Sequence, residues 1–158
     1  MAQIDTGTNE LLAALTDGVL TLTMNRPEAR NAMNQTMNDA LASQLAAAEL
    51  NPAVKCVVLT GAGKGFCAGG DVKNMASGGG ASDGIDASIA RQRVTQRATA
   101  GKLFKMPKPT IAALPGAAAG AGLSYALACD LRIMASNAIL TTAFARVGFS
   151  GDFGGTYF

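Results

Sequence analysis

The chain contains no histidine. That absence removes Ser-His-Asp and Cys-His catalysis and most zinc hydrolases, because each needs an imidazole as base or ligand. Acid and base work must come from Asp, Glu, Lys, Tyr or Cys. Aromatic residues are scarce, at 5%, and charged residues make up 15%, against 49% apolar. So much apolar material excludes disorder. With alanine and glycine abundant, the core is expected to pack small side chains and to bring backbone close to backbone. Cys56, Cys67 and Cys129 are odd in number and irregularly spaced, so they form neither a disulfide framework nor a zinc pattern. Reduced thiols of this kind suit the cytoplasm. Long hydrophobic runs are missing as well. The most apolar stretch, Ile111 to Leu123, is broken by Pro115 and several glycines and is too short to span a bilayer. No basic start followed by an apolar run opens the chain, so no signal peptide is expected.

The length of 158 residues fits one domain, 1–158. A net charge of +2 argues neither for nor against nucleic acid, and neither nucleic acid nor membrane is expected as a partner. Between residues 87 and 129 the chain carries Arg91, Arg93, Arg97, Lys102, Lys105 and Lys108 and no acid. That is either a solvated helix face or an attraction for a phosphorylated ligand.

Asp17-Gly18 between Leu11 to Leu15 and Val19 to Met24 predicts a β-hairpin. Asn34 is placed to cap a helix running to Leu50, with Met33, Met37, Leu41 and Leu45 as its apolar stripe. Val54 to Thr60 reads as a buried parallel strand. A glycine-rich loop follows, then a Gly/Ser-rich run from Ser77 to Gly84 that is expected to be mobile. Further along come a helix from Ile85 to Phe104, a strand from Thr110 to Leu114, a helix from Gly120 to Cys129, and short strands at Leu131 to Ala135 and Ile139 to Thr142. This order means an α/β domain with right-handed crossovers. Gly154-Gly155-Thr156-Tyr157-Phe158 reads as the opening of another element, so the chain is expected to be a fragment.

Two segments, Gly61 to Asp71 and Pro115 to Ser124, are rich in small residues and follow strands. Residues without bulky side chains let a ligand approach the main chain. If the loops end at helix N-termini, their free N–H groups point at that ligand, and two converging on one oxygen make an oxyanion hole. Phosphate binding and plain tight turns are the rival readings. Neither loop is a Walker motif, and the first matches a dinucleotide fingerprint only weakly.

Larger patterns carry a resemblance. Asn25-Arg26-Pro27, Asn31-Ala32-Met33, Thr60-Gly61-Ala62-Gly63 and Phe66-Cys67-Ala68-Gly69-Gly70-Asp71 come in this order. They are followed by Pro107 to Ala113, Pro115-Gly116, Cys129 to Ile133, Phe144 to Gly148 and Asp152-Phe153-Gly154-Gly155-Thr156. In order and spacing this resembles the crotonase superfamily of enoyl-CoA hydratases and isomerases across nearly the whole chain. The resemblance implies an α/β crotonase (ClpP-like) spiral of ββα units, here the N-terminal core without the C-terminal helical part. It implies an acyl-CoA thioester as substrate, no separate cofactor, no metal, and a homotrimer or hexamer. By the same resemblance, the N–H groups of Ala68 and Ala121 form the oxyanion hole, which stabilises a thioester enolate. The expected substrate-binding set is Arg30, Lys64, Cys67, Ala68, Gly69, Gly70, Asp71, Gly120, Ser124 and Phe144, with Arg30 and Lys64 toward the CoA phosphates.

Hydratases of this pattern use two glutamates. Their positions here fall on Ser124 and Phe144, neither of them acidic. The remaining acid is Asp152, which resembles a functional aspartate of the dienoyl-CoA and epoxyphenylacetyl-CoA isomerase branches. A lone carboxylate beside an enolate can move a proton between carbons and shift a double bond without water. Isomerisation is therefore expected over hydration, with a non-catalytic CoA-thioester-binding or assembly module as the alternative. Among the other residues, Cys67 has no base to activate it and reads as small filler. Asp71 reads as a helix cap and Asp130 as structural, while Tyr125 faces either core or pocket.

Overall fold

The computed structural model describes residues 2–71, 84–148 and 150–158. Three antiparallel strands open the chain: β1 (Ala2–Ile4), β2 (Leu11–Thr16) and β3 (Val19–Met24). The hairpin expected at Asp17-Gly18 is present. Thr16 pairs with Val19, and both turn residues have positive φ, 50° and 83°, as a type I′ turn requires. Helix α1 (Gln35–Leu50) follows a short 3₁₀ turn at Pro27–Ala29. Asn34 caps α1 by accepting the Met37 N–H at 2.9 Å. The stripe Met33, Met37, Leu41 and Leu45 is buried throughout.

Strand β4 (Cys56–Gly61) begins two residues later than the pattern suggests, because the N–H groups of Lys55 and Cys56 both turn to the Gly18 carbonyl. The single helix expected from Ile85 to Phe104 is two, α2 (Gly84–Ala98) and α3 (Ala100–Lys105). The break falls at Thr99. This buried β-branched residue turns its hydroxyl back to the Thr95 carbonyl, 2.7 Å away, a bond that bends helices. Strand β5 (Thr110–Leu114) matches expectation; the two-residue β6 (Ala118–Ala119) gave no pattern. Helix α4 (Ala121–Ala128), β7 (Leu131–Met134), β8 (Leu140–Thr141) and a 3₁₀ turn (Ala143–Val147) complete the order. The run expected to be mobile, 77–84, lies outside the described residues except for Gly84.

The main sheet has the order β1-β2-β3-β4-β5-β7, with β3, β4, β5 and β7 parallel. A second, parallel pair joins β6 to β8. On one face Leu20, Leu22, Val57, Leu59 and Ala112 come into register and are buried together with Met37, Leu41 and Leu45 of α1. The other face is not sealed: Val58, Thr60 and Ile111 are half-buried. β4 therefore alternates instead of being covered on both sides, because α1 packs on one side only among the described residues. Asp130 is structural, as expected. Its Oδ2 accepts from the Thr110 N–H at 2.8 Å and the Thr110 hydroxyl at 2.9 Å, tying the turn between α4 and β7 to β5.

Candidate active site

β4 and β5 are parallel neighbours, so the loops leaving their C-terminal ends emerge side by side. That edge is where ligands meet a parallel sheet. The loops are joined main chain to main chain. Phe66 and Cys67 N–H donate to the Ala117 carbonyl (3.0 and 3.2 Å), and the Ala119 N–H donates to the Cys67 carbonyl at 2.9 Å. Missing side chains make this approach possible. A Cβ on Gly122 would stand 2.5 Å from the Cys67 oxygen. One on Gly69, whose φ is +97°, would stand 2.9 Å from the Ala119 oxygen and 3.3 Å from the Ala121 nitrogen.

The second loop does lead into a helix. Gly120 is the N-cap of α4, supplies no side-chain cap, and donates its own N–H to Thr141 at 3.1 Å. The N–H groups of Ala121 and Gly122 have no acceptor among the described residues. They sit at the positive end of the helix.

On the first loop the Ala68 N–H expected as an oxyanion donor is engaged by the protein: it donates to the Arg30 carbonyl at 3.0 Å. Two residues on, the Gly70 N–H has no acceptor among the described residues, while Met33 pairs with the main chain on either side of it. Cys67 is also corrected as a ligand contact. It is fully buried, its thiol donates to the Asn31 carbonyl at 3.1 Å, and burial pushes its pKa up to about 12. Asp71 forms an ion pair with Arg26 at 2.9 Å. The helix it was expected to cap lies outside the described residues.

Asn31 holds the first loop in place. Buried and at φ +55°, it donates from Nδ2 to the carbonyls of Ala62 and Gly65, both at 2.9 Å, and accepts the Arg26 N–H at 2.9 Å. The turn carrying Arg30 is thereby fastened to the loop carrying Lys64. Both cations are exposed, with no ion-pair partner among the described residues.

Asp152 lies on the other side of α4. Its carbonyl accepts the Ser124 hydroxyl at 2.9 Å and the Gly155 N–H at 3.2 Å. Its carboxylate Oδ2 accepts from Gln92 of α2 at 3.4 Å, and burial raises its pKa above the ordinary value. Ser124 is fully buried, with its hydroxyl turned to that carbonyl. Phe144 is half-buried, its ring 3.2 Å from where a Cβ on Gly151 would stand. Phe149 lies outside the described residues. Phe153 meets Tyr125 edge-on, with ring centroids 5.6 Å apart. Tyr125 faces the core: it is buried, and its hydroxyl donates to Asn38 at 2.9 Å. The sequence reading passed over Asn31 and Gln92 as site residues and had Gly70 only as a substrate contact, not as a donor. A lone Asn beside a turn between apolar runs is the one signal that pointed to Asn31. No group of His, Cys, Asp and Glu able to hold a metal occurs among the described residues, nor any helix long and apolar enough to cross a membrane.

These features define an α/β domain that presents main-chain N–H groups where two loops leave a parallel sheet, with the Asp152 segment bonded to the helix that follows the second loop. Residues 14–158 match the family described as Enoyl-CoA hydratase/isomerase. Over 149 residues the chain is 41% identical to the 1,2-epoxyphenylacetyl-CoA isomerase of Escherichia coli (strain K12), covering 93% of this chain and 55% of the relative. Among solved structures it superposes on an enoyl-CoA hydratase from Polaromonas sp. JS666 with TM-score 0.84 and 37% identity, covering 93% of this chain and 56% of the other. An enoyl-CoA hydratase from Bacillus anthracis gives TM-score 0.82 at 29% identity, covering 94% and 56%. The chain belongs to the enoyl-CoA hydratase/isomerase family and has the crotonase fold, of which it represents the N-terminal part. It spans about half the length of the curated relatives it matches.

Proposed function

We propose that this chain is the catalytic core of an acyl-CoA enzyme that shifts a double bond through a thioester enolate. The observation that carries the reading is the arrangement around α4. Its first N–H groups, at Ala121 and Gly122, have no acceptor among the described residues, and one turn on, Ser124 is bonded to the segment bearing Asp152. A donor for the thioester oxygen and the main chain that carries the Asp152 carboxylate thus meet one short helix.

The Ala121 N–H supplies one bond to the thioester oxygen. The Gly70 N–H supplies the other, in place of Ala68. Gly69 and Gly120 leave room for the thioester, Phe144 lies beside the acyl chain, and Arg30 and Lys64 face the CoA phosphates. With a 3-enoyl thioester, the Asp152 carboxylate takes a proton from C2. The C2–H electron pair forms a C1–C2 double bond and the carbonyl π pair moves onto the thioester oxygen, giving a dienolate. As the carbonyl re-forms, the C1–C2 pair moves to C2–C3 and the C3–C4 pair is left to take a proton at C4. The same carboxyl then returns the proton to C4, giving the 2-enoyl isomer with no water consumed. Such an oxyanion contact is worth about 10²- to 10³-fold in rate. Partial burial favours the shuttle, since a carboxyl whose pKa is raised transfers protons more readily near neutral pH. The absence of a carboxylate at Ser124 and Phe144 favours isomerisation over a two-glutamate hydration, and an isomerase acting on a CoA thioester is among the relatives. The substrate's own CoA is the only coenzyme in this reading, the assembly is a homotrimer or hexamer, and the compartment is the cytoplasm.

The test measures turnover of enoyl-CoA esters, and binding of a saturated acyl-CoA, in the full-length protein and in Asp152→Asn. Loss of turnover with retained binding is expected. Equal turnover in the two proteins moves the chemistry elsewhere. Binding without turnover in the parent makes the chain a CoA-thioester-binding module.

A further inference from the structure

At residues 152–154 the chain adopts a backbone its sequence does not favour. Phe153 has φ +51° and Gly154 φ +83°, two successive left-handed residues of which the first is aromatic. Bulky residues persist in that region only where their surroundings over-determine them. The surroundings here are two neighbours on α4. Ser124 donates its hydroxyl to the Asp152 carbonyl at 2.9 Å, and the Tyr125 ring stands edge-on to Phe153 at 5.6 Å. The Gly155 N–H closes onto the same carbonyl at 3.2 Å. The chain is so close there that a Cβ on Gly155 would stand 2.6 Å from the Ser124 oxygen. Ser124 is fully sequestered from solvent, so its hydroxyl holds main chain and does not reach into an open pocket.

We propose that Ser124 is the positioning residue for Asp152, fixing the carboxylate relative to the α4 N-terminus by holding the main chain of residue 152 against the helix. This rests on the reading of Asp152 as the proton shuttle. The helix that donates to the thioester oxygen then also sets the distance from that oxygen to the carboxylate. Loss of the hydroxyl leaves the Asp152 carbonyl with the Gly155 N–H alone, and frees the left-handed turn to relax. The carboxylate moves, while the groups that bind CoA do not. A displacement of about 1 Å in such a group costs up to about 100-fold.

The experiment uses the full-length protein with trans-3-hexenoyl-CoA, followed by appearance of the conjugated 2-enoyl thioester. Ser124→Ala is expected to lower kcat between about 10- and 100-fold, with KM within about twofold of the parent. In an Asp152→Asn background the same change should cost nothing more, since the group it positions is gone. A merely structural serine would lower stability and leave kcat per folded molecule unchanged. Parental kcat in Ser124→Ala, with turnover abolished in Asp152→Asn, overturns the positioning role and leaves the Asp152 reading standing. A fully additive loss in the double variant also overturns it, because Ser124 then acts on something else. Parental turnover in Asp152→Asn, or none in the parent, overturns the underlying reading and this proposal with it. If Ser124→Ala does not fold, Gly155→Ala displaces the same hydroxyl from the opposite side. It should show the same selective loss of kcat, and parental kcat there is an equal refutation.

Discussion

The glycine loops and the Asp152 segment lie on opposite sides of α4 and are built from different materials. The loops are joined main chain to main chain, through Phe66, Cys67, Ala117 and Ala119, and side chains matter there mainly where one would collide. Residues 150–158 are held by particular side chains instead: the Ser124 hydroxyl, the Tyr125 ring against Phe153, and Phe144 against Gly151. The loops should thus tolerate any small residue that clears its neighbours. The Asp152 segment should fail one contact at a time.

The largest effect expected from this contrast is at Asp152 itself. Asp152→Asn should reduce turnover by about 10²- to 10⁴-fold with acyl-CoA binding retained. Burial raises this carboxyl's pKa, so the acid limb of kcat should lie above the usual Asp value of about 3.9 and vanish in the Asn variant. The stability consequence has the opposite sense to that of a salt-bridged carboxylate. A raised folded pKa means the fold prefers the neutral form, so stability falls as pH rises from the unfolded pKa through the folded one. Asp152→Asn should remove that fall, which chemical denaturation at several pH values will show.

The loop side is sharpened by two prolines. Gly70→Pro removes an N–H that has no acceptor among the described residues and should cost about 10²- to 10³-fold in turnover. Ala68→Pro removes the bond to Arg30. It should cost about 1 kcal/mol of stability and leave turnover per folded molecule near the parent's. The reverse result would return the donor role to Ala68. Asn31→Ala strands the carbonyls of Ala62 and Gly65 and should lower stability by about 1–3 kcal/mol, read from the urea midpoint. Smallest is the loss of either exposed cation. Arg30→Ala or Lys64→Ala should raise KM by at most about fivefold, since exposed charges contribute about 1 kcal/mol or less, with kcat unchanged and the difference shrinking at high salt.

The sheet core and α1 were legible because their signals are local. Asp17-Gly18 sets a turn, Asn34 a cap, and Met37, Leu41 and Leu45 a stripe, and each is what the structure contains. The small-residue loops were legible as places where a ligand can meet main chain. Which N–H is free was not, because the Ala68 N–H is engaged by a carbonyl on a separate turn, and no spacing rule reports that. The break at Thr99 depends on burial deciding where a β-branched residue sends its hydroxyl. β6, two residues long, exists by pairing with β8 and by the bridge from Ala118 to Cys67, while β8 falls within the strand expected at Ile139 to Thr142. The role of Ser124 was hidden for the opposite reason. Its position resembles that of a catalytic acid, and only the folded chain shows its hydroxyl turned to main chain.

The joining of the two loops also has a consequence in time. The β2–β3 hairpin pairs residues separated by a tight turn, so its closure costs little chain entropy. The bonds from Phe66 to Ala117, from Cys67 to Ala119 and from β6 to β8 unite segments far apart in sequence, and contacts of that kind form slowly. The order of folding therefore runs from the hairpin toward the ligand-binding edge. A partly folded chain has its β2–β3 hairpin before it has anywhere to bind. In pulsed hydrogen exchange during refolding, the amides of β2 and β3 should gain protection before those of Cys67 and Ala119. Until the late pairings form, the N–H groups proposed as oxyanion donors are unaligned amides on a mobile chain.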